Sequence, residues 1–313
     1  MNDIVRSDPQ KVVVIINPIS GAGRRRDVAR MRAEQAAALA EQRRVSAEVF
    51  VTERPGHARE LTQAGLRRGA TTFVAWGGDG TVNGTATAVA ETPIPLAIIP
   101  GGSGNGLARD LQIPFDAKAA FAIAATGVVR TIDAGDLHGS LFFNVAGIGF
   151  DARIADRLAS PGARRGLLGY VIATVTELRT FEPGTYTIRN AFDVDGRQHM
   201  ADIVDHPALL IALANSRQYG SGAQIAPKAL LDDGMMEIVV VEPQSGLSIM
   251  RQVPAFFQGT LREGPGLLMR SAATMEISSS HPIRFHVDGE PRVGPESIAL
   301  KTRRNILRVK VSH

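Results

Sequence analysis

Asp79 stands at the tip of a glycine turn in the stretch Trp76-Gly77-Gly78-Asp79-Gly80-Thr81-Val82-Asn83. Three glycines let the backbone turn sharply and approach another molecule closely. The turn follows an apolar run, Thr72-Phe73-Val74-Ala75, that reads as a buried strand, and Thr81 and Asn83 open a helix. A strand, a glycine turn and a helix N-terminus make a phosphate site, because N–H groups without helical partners point outward there. A carboxylate at that tip can hold magnesium through water or accept a proton. The combination points to nucleotide-dependent phosphoryl transfer.

Two more glycine segments carry polar groups. Asn17-Pro18-Ile19-Ser20-Gly21-Ala22-Gly23-Arg24 ends the first apolar run, and by itself reads as a plain strand-to-helix turn. Pro100-Gly101-Gly102-Ser103-Gly104-Asn105-Gly106-Leu107-Ala108-Arg109 has four glycines, a hydroxyl and an amide before a helical start. Ser103 and Asn105 suit a phosphate or a ribose. The P-loop pattern is absent, and Gly77, Gly78 and Gly80 lack the dinucleotide spacing. Farther on, Asp288-Gly289-Glu290 sets two acids across a glycine, one able to act as general base. Its residues alone read as a hairpin turn, for which Asp-Gly is a favoured pair. The seven histidines show no metal-ligand spacing.

These segments need elements to hold them. Lys11-Val12-Val13-Val14-Ile15-Ile16 is a β-branched run typical of a strand buried on both faces. Residues 24–44 are rich in helix formers, 45–51 alternate as a strand, 57–69 read as a helix, 82–90 as another, and 96–99 as a fourth strand. Strands separated by helices imply a parallel sheet with helices on its faces and ligands at the strands' carboxyl ends. All three glycine segments fall at such ends. After about residue 127 the rhythm changes. Strands are expected at 131–133, 141–146, 186–188, 208–214, 236–241, 274–277, 283–287 and 307–311, with helices only at 167–181 and 248–261. The expected fold is therefore an α/β domain over 1–130, Rossmann-like with a parallel sheet, followed by an all-β, sandwich-like domain over 131–313 whose last strand can return to the first.

A chain of 313 residues suits two domains. With 44% hydrophobic and 21% charged residues the composition is globular. No cysteine is present, which excludes disulfides and thiolate metal sites. The N-terminal residues lack a signal-peptide layout and no apolar stretch is long enough to span a bilayer, so a cytoplasmic protein is expected. The net charge of +4 and the arginine runs at 24–26, 43–44, 67–68, 164–165 and 303–304 suit anionic lipid or phosphorylated substrates. The aromatic residues are not interleaved with the basic ones, so no nucleic-acid partner is expected.

Taken together, Asn17-Pro18 with Ser20-Gly21, Gly77-Gly78-Asp79-Gly80-Thr81-Val82-Asn83 and residues 100–108 resemble the three signatures of the diacylglycerol kinase catalytic-domain superfamily, which includes sphingosine kinases, ceramide kinases and the soluble diacylglycerol kinases of bacteria. The resemblance continues through residues 143–152, Gly169-Tyr170, residues 227–234 and Asp288-Gly289-Glu290, in the right order along nearly the whole chain. It implies a nucleotide-binding α/β domain, as in NAD kinase, followed by a β-sandwich, with the active site in the cleft between.

For the site, the resemblance implies ATP held by Asn17, Thr52, Gly77, Gly78, Asp79, Gly80, Thr81, Val82, Asn83, Gly102, Ser103 and Asn105. Catalytic Mg2+ would be held through water by Asp79, with Asp133 in the same network. A structural Mg2+ would take the Asp233 side chain and the carbonyls of Leu230 and Met235. The base would be Glu290 or Asp288, or Asp79, which matches the carboxylate given that role in sphingosine kinases. Partners implied are a lipid substrate, peripheral contact with an anionic membrane and, as in family members, a homodimer. The acyl chain would lie near the helix at 167–178 or near Phe256-Phe257. One position departs from the pattern: Gly106 stands where bacterial diacylglycerol kinases carry aspartate, so residues 102–108 look closer to sphingosine and ceramide kinases. Two other readings are a kinase of a soluble substrate, of the NAD kinase type, and a nucleotide- or lipid-binding protein without activity.

Overall fold

The run Val12-Val13-Val14-Ile15-Ile16 forms the buried part of strand β1 (Lys11–Ile16), at most 2% exposed at each position. It lies in a computed structural model that describes residues 11–18, 25–160, 176–177 and 180–313. The chain divides into two units, Met1–Gly102 with Leu111–Thr131 and Leu307–His313, and Ser103–Asp110 with Ile132–Ile306.

In the first unit β1 pairs in parallel with β2 (Ser46–Val51) on one side and β3 (Thr72–Gly77) on the other, and β3 pairs with β4 (Leu96–Pro100). Helices α1 (Arg25–Gln42), α2 (His57–Arg67) and α3 (Asp79–Val89) make the crossovers. The order β2-β1-β3-β4 reverses its winding between β1 and β3, where open α/β sheets bind ligands. Register keeps the strand ends level: Ile16 lies opposite both Val51 and Trp76, and Gly77 opposite Pro100. The segments that follow β1, β2, β3 and β4 thus share one edge, as the alternation of strands and helices implied.

Residues Ser103–Asp110, which include the short helix α4 (Gly106–Asp110), cluster with the second unit instead, although a boundary at 130 would leave them in the first. The reason is an ion pair from Asp110 to Arg217 at 2.6 Å and the packing of Gly106 on Asn144. Helix α5 (Ala117–Thr126) is back in the first unit, capped by the Asp116 carboxylate on the Ala119 N–H, and packs on β4.

Packing in the first unit is tight enough to demand glycine inside a helix. A Cβ on Gly65 of α2 would stand 2.7 Å from the ring of Phe73, which is fully buried. Gly65→Ala gains about 1 kcal/mol of helix propensity. The clash is expected to outweigh it and leave the protein about 1–2 kcal/mol less stable, read as a lower midpoint in urea.

The second unit is built on two sheets. One holds β7 (Val145–Gly149), β10 (Leu210–Ala214), β13 (Met236–Val241), β14 (Leu267–Ala272), β16 (Arg284–Val287) and β17 (Glu290–Val293), antiparallel in the order β14-β13-β10-β7-β16-β17. The other holds β8 (Gly184–Phe192), β9 (Ile203–Ala208), β15 (Thr274–Ser278) and the first part of β18 (Ser297–Val311), with β5 (Val128–Leu137) and β6 (Ser140–Phe142) beside them. Alternation assigns the faces. Ile211, Leu213, Ile238 and Val240 join Ile188, Met275, Ile277, Ile298 and Leu300 in the core between the sheets. Ala212, Ala214, Val239 and Val241 face a second core closed by α6 (Phe150–Ala159) and α7 (Gly246–Gln258). A β-ribbon of β11 (Gln218–Gly220) and β12 (Ala223–Gln224) completes the unit. At Leu307 the chain returns to the first unit, where Val309 of β18 pairs in parallel with Leu96.

The helix expected over 167–181 lies mostly outside the described residues. Among the described residues no helix is long and apolar enough to cross a membrane.

Candidate functional site

In the first unit the edge of the sheet carries ten of the expected residues. The Asn17 N–H donates to the Trp76 carbonyl at 2.9 Å, and its side-chain amide donates to the Thr81 hydroxyl at 3.1 Å. That bond ties the end of β1 to the first turn of α3, across the point where the sheet's winding reverses. The Thr52 N–H donates to the Ile16 carbonyl at 2.8 Å, and the Gly101 N–H to the Gly77 carbonyl at 2.8 Å. A Cβ on Gly78 would stand 3.3 Å from the Gly102 Cα, and one on Gly77 would run into the Thr81 side chain. The two glycine segments therefore touch backbone to backbone.

Helix α3 begins at Asp79 after Gly78, whose position makes no side-chain cap. The Thr81 and Val82 N–H groups close on the Gly78 carbonyl at 3.0 and 3.1 Å, and the macrodipole favours an anion at this end of the helix. The edge fits the phosphates of ATP on that ground. Asp79 is half-buried and Gly80 exposed at the tip. Thr81, Val82 and Asn83 are buried: the Thr81 hydroxyl is bonded to Asn17, Val82 sits in the core, and the Asn83 carbonyl oxygen accepts from the Thr87 hydroxyl. They shape the turn from below and do not present their side chains outward. Ser20, Gly21, Gly23 and Arg24 lie outside the described residues.

Sequence reasoning missed Arg32. This side chain of α1 is 9% exposed, and its Nη1 and Nη2 donate to the carbonyls of Asn17 and Gly101 at 2.7 and 3.4 Å. The guanidinium lies over the Trp76 ring, 5.9 Å from its centre, and burial lowers its pKa. An arginine in a run of helix formers gives no sign that it will turn inward.

In the second unit the structure separates the two acids that the sequence left open. Asp288 and Gly289 both have positive φ, 47° and 84°, as a two-residue hairpin turn of β16 and β17 requires. The Asp288 carboxylate accepts three backbone N–H bonds, from Phe143, Asn144 and Val145 at 3.0, 3.0 and 3.1 Å. Its oxygens are committed to the backbone and are poorly placed to take a proton from a substrate. Glu290 is 40% exposed and paired with Arg292 at 2.9 Å, a contact that solvent weakens. Below the turn, His286 Nδ1 accepts the Gly289 N–H at 3.2 Å, which leaves Nε2–H to donate to Asp151 at 2.5 Å. Gly147 has no Cβ because this buried pair occupies the space.

Asp133, which the resemblance sets in the magnesium network, is fully buried, and its two oxygens accept the N–H groups of Asn305 and Gly234 at 2.6 and 2.7 Å. In this position it clamps two backbone segments. Asp233 is exposed, and its carboxylate accepts the Met235 N–H at 2.9 Å. Burial, then the charges of Asp133 and Asp232, push its pKa up. One carboxylate with the carbonyls of Leu230 and Met235 is the oxygen donor set that a hard ion takes. Among the described residues no three His, Cys, Asp or Glu side chains cluster as metal ligands.

Ser103 and Asn105 belong to this unit as well. Ser103 is exposed and its carbonyl accepts the Ser221 hydroxyl at 3.3 Å, while Asn105 is buried at a φ of 54°. Gly106, the departure from the family pattern, abuts Asn144: a Cβ there would stand 2.5 Å from the Asn144 side-chain nitrogen. Asn144 and Asp151 entered only as part of the segment 143–152, and Asn215, Ser216, Arg217 and His286 escaped notice, because the partners of all six lie far along the chain.

Comparison with known proteins agrees with this arrangement. The family described as the diacylglycerol kinase catalytic domain matches residues 11–137, and the YegS C-terminal NAD kinase beta sandwich-like domain matches residues 144–311. A protein of Mycobacterium tuberculosis named diacylglycerol kinase is 31% identical over 292 residues, covering 91% of this chain and 90% of that one. A protein of Chromohalobacter salexigens named "Probable lipid kinase YegS-like" is 32% identical over 238 residues, 75% of this chain and 73% of that one. The crystal structure of a diacylglycerol kinase from Bacillus anthracis str. Sterne has the same fold, with a TM-score of 0.69 at 20% identity over 98% of both chains.

Proposed function

Because this chain belongs to the diacylglycerol kinase catalytic-domain family, we propose that it transfers the γ-phosphate of ATP to a lipid hydroxyl, with diacylglycerol as the first candidate. The observation that carries the reading is the uncapped N-terminus of α3, with Asp79 as its first residue, at the level edge where β1, β2, β3 and β4 end.

In this reading the amides of the glycine turn and of α3 hold phosphate, and Asp79 would hold Mg2+ through water, where the ion would supply positive charge against the phosphates. Glu290 accepts the proton of the lipid hydroxyl once its contact with Arg292 opens, and Asp288 anchors the turn that carries it. Little covalent chemistry falls to the protein, so its contribution is positioning and electrostatics.

The lipid resides in a bilayer, and α7 offers a face for one. Met250, Val253 and Phe257 recur at helical spacing and are 70%, 44% and 48% exposed. Arg251 lies exposed beside them, and the helix contains no acidic residue. Exposed apolar side chains flanked by a cation suit an anionic membrane. Phe256, by contrast, is turned to the second core. The other groove considered, at 167–178, lies mostly outside the described residues.

Purified protein with γ-labelled ATP, Mg2+ and a panel of diacylglycerol, monoacylglycerol, sphingosine, ceramide and phosphatidylglycerol in mixed micelles tests the reading. Label in one lipid that is lost in Asp79→Ala is expected. Label in none, with ATP still bound, would reject it. Replacing Met250, Val253 and Phe257 by serine is expected to weaken binding to phosphatidylglycerol vesicles, read by sedimentation, about a hundredfold, each lost side chain contributing on the order of 1 kcal/mol. A triple variant that still sediments normally but changes its self-association would assign the face to a homodimer.

A further inference from the structure

We propose that Asn144 is a positioning residue that holds the glycine segment Ser103–Asp110 and the turn bearing Glu290 in one register, and that Gly106 is the gap that admits its side chain. The proposal rests on the kinase reading above, since that reading assigns the segment to nucleotide and the turn to proton transfer.

Asn144 is 5% exposed and engages on every side. Its N–H donates to Asp288 at 3.0 Å, and its carbonyl accepts the N–H groups of Asn215 and Ser216 at 2.9 and 3.3 Å. Its side-chain oxygen accepts the Ser216 hydroxyl. Its carboxamide lies against the Gly106 Cα, so closely that a Cβ there would be 2.8 Å from its Cγ. The residues after Ser216 continue the brace. Arg217 pairs with Asp110 at 2.6 Å, and Ser221 bonds the Ser103 carbonyl at 3.3 Å.

The glycine segment is thus held near its start, middle and end by residues 144–221, all within the second unit. The same Asn144 meets the Asp288 carboxylate that anchors the turn. A segment with three glycines among residues 102–106 has little stiffness of its own. Contacts from neighbours must therefore set its position. In-line transfer punishes a displacement of about 1 Å by roughly a hundredfold, so a strut between the two elements bears on rate without touching substrate.

Gly106→Ala, Asn144→Ala, the double variant and Ser216→Ala, as full chains, test this. The readouts are calorimetric binding of a non-hydrolysable ATP analogue, kcat and KM for ATP with lipid in micelles, and the thermal midpoint. Gly106→Ala is expected to weaken analogue binding about tenfold, and Asn144→Ala to lower kcat about tenfold. In the double variant the methyl fills the vacated space, so analogue binding recovers to within about threefold of Asn144→Ala alone, a coupling that independent sites do not show. Ser216→Ala keeps the backbone contacts of Asn144 and is expected to lose part of the kcat, with a midpoint lowered only by the one lost hydrogen bond. Should Asn144→Ala fail to fold, Gly106→Ala with Ser216→Ala supplies the cycle. Effects that simply multiply, or a lower midpoint with unchanged kinetics of the folded protein, would overturn the proposal. A wild type that binds the analogue but labels no lipid would reject the kinase reading, and analogue binding would still decide the strut. A wild type that binds no analogue would reject both.

Discussion

Glu290→Gln is expected to lower kcat by about 10²–10⁴ and leave the unfolding transition where it is, while Asp288→Ala is expected chiefly to lower the unfolding midpoint. The two acids sit one glycine apart, and sequence alone treats them alike. The structure makes them different. Asp288 accepts three backbone N–H bonds from residues 143–145, so removing it strips partners from three amides. That loss costs about 2–4 kcal/mol. Glu290 has one charged partner, Arg292, and is open to solvent, so glutamine replaces it with little structural consequence. Glutamine cannot accept a proton at neutral pH, and the loss shows in turnover rather than in KM for ATP. The pair of measurements is a turnover assay in micelles and a urea unfolding curve on each variant. An inactive but stable Asp288→Ala beside an active Glu290→Gln would exchange the two roles.

Asp133→Ala is expected to destabilise the protein by about 2–5 kcal/mol, in the presence or absence of Mg2+. Its carboxylate is fully buried and joins the Gly234 and Asn305 amides, 101 and 172 residues away along the chain. The alanine variant leaves both N–H groups buried without these partners. A metal-network residue would behave otherwise. Its loss would raise the Mg2+ concentration needed for half-maximal activity and leave urea stability nearly unchanged. Urea titrations with and without Mg2+, together with the Mg2+ dependence of activity, separate the outcomes. An unchanged unfolding midpoint with a shifted Mg2+ requirement would restore Asp133 to the metal.

The sequence by itself determined the first unit's architecture and the common edge of its glycine segments. β-branched runs such as residues 12–16 admit only a strand buried on both faces, and strands alternating with helices admit only a parallel sheet. Glycines after β1, β3 and β4 then fall on one edge without further information. The expected switch to a β-rich second half was legible for the same reason, in short apolar runs such as residues 236–241. These signals are local, because backbone geometry and the pattern of burial repeat within a few residues.

Tertiary structure decided what the polar side chains do. Asp288 and Asp133 read as candidate chemistry, yet each has its oxygens taken by amides more than a hundred residues away. Arg32 read as a solvated helix residue, yet it is buried beneath Asn17 and Gly101. Gly106 read as a missing carboxylate, and its meaning lies in Asn144, which occupies the space beside it. In every case the deciding partner is remote in sequence. A carboxylate's work depends on which donors reach its oxygens, and only the folded chain brings those donors within about 3 Å.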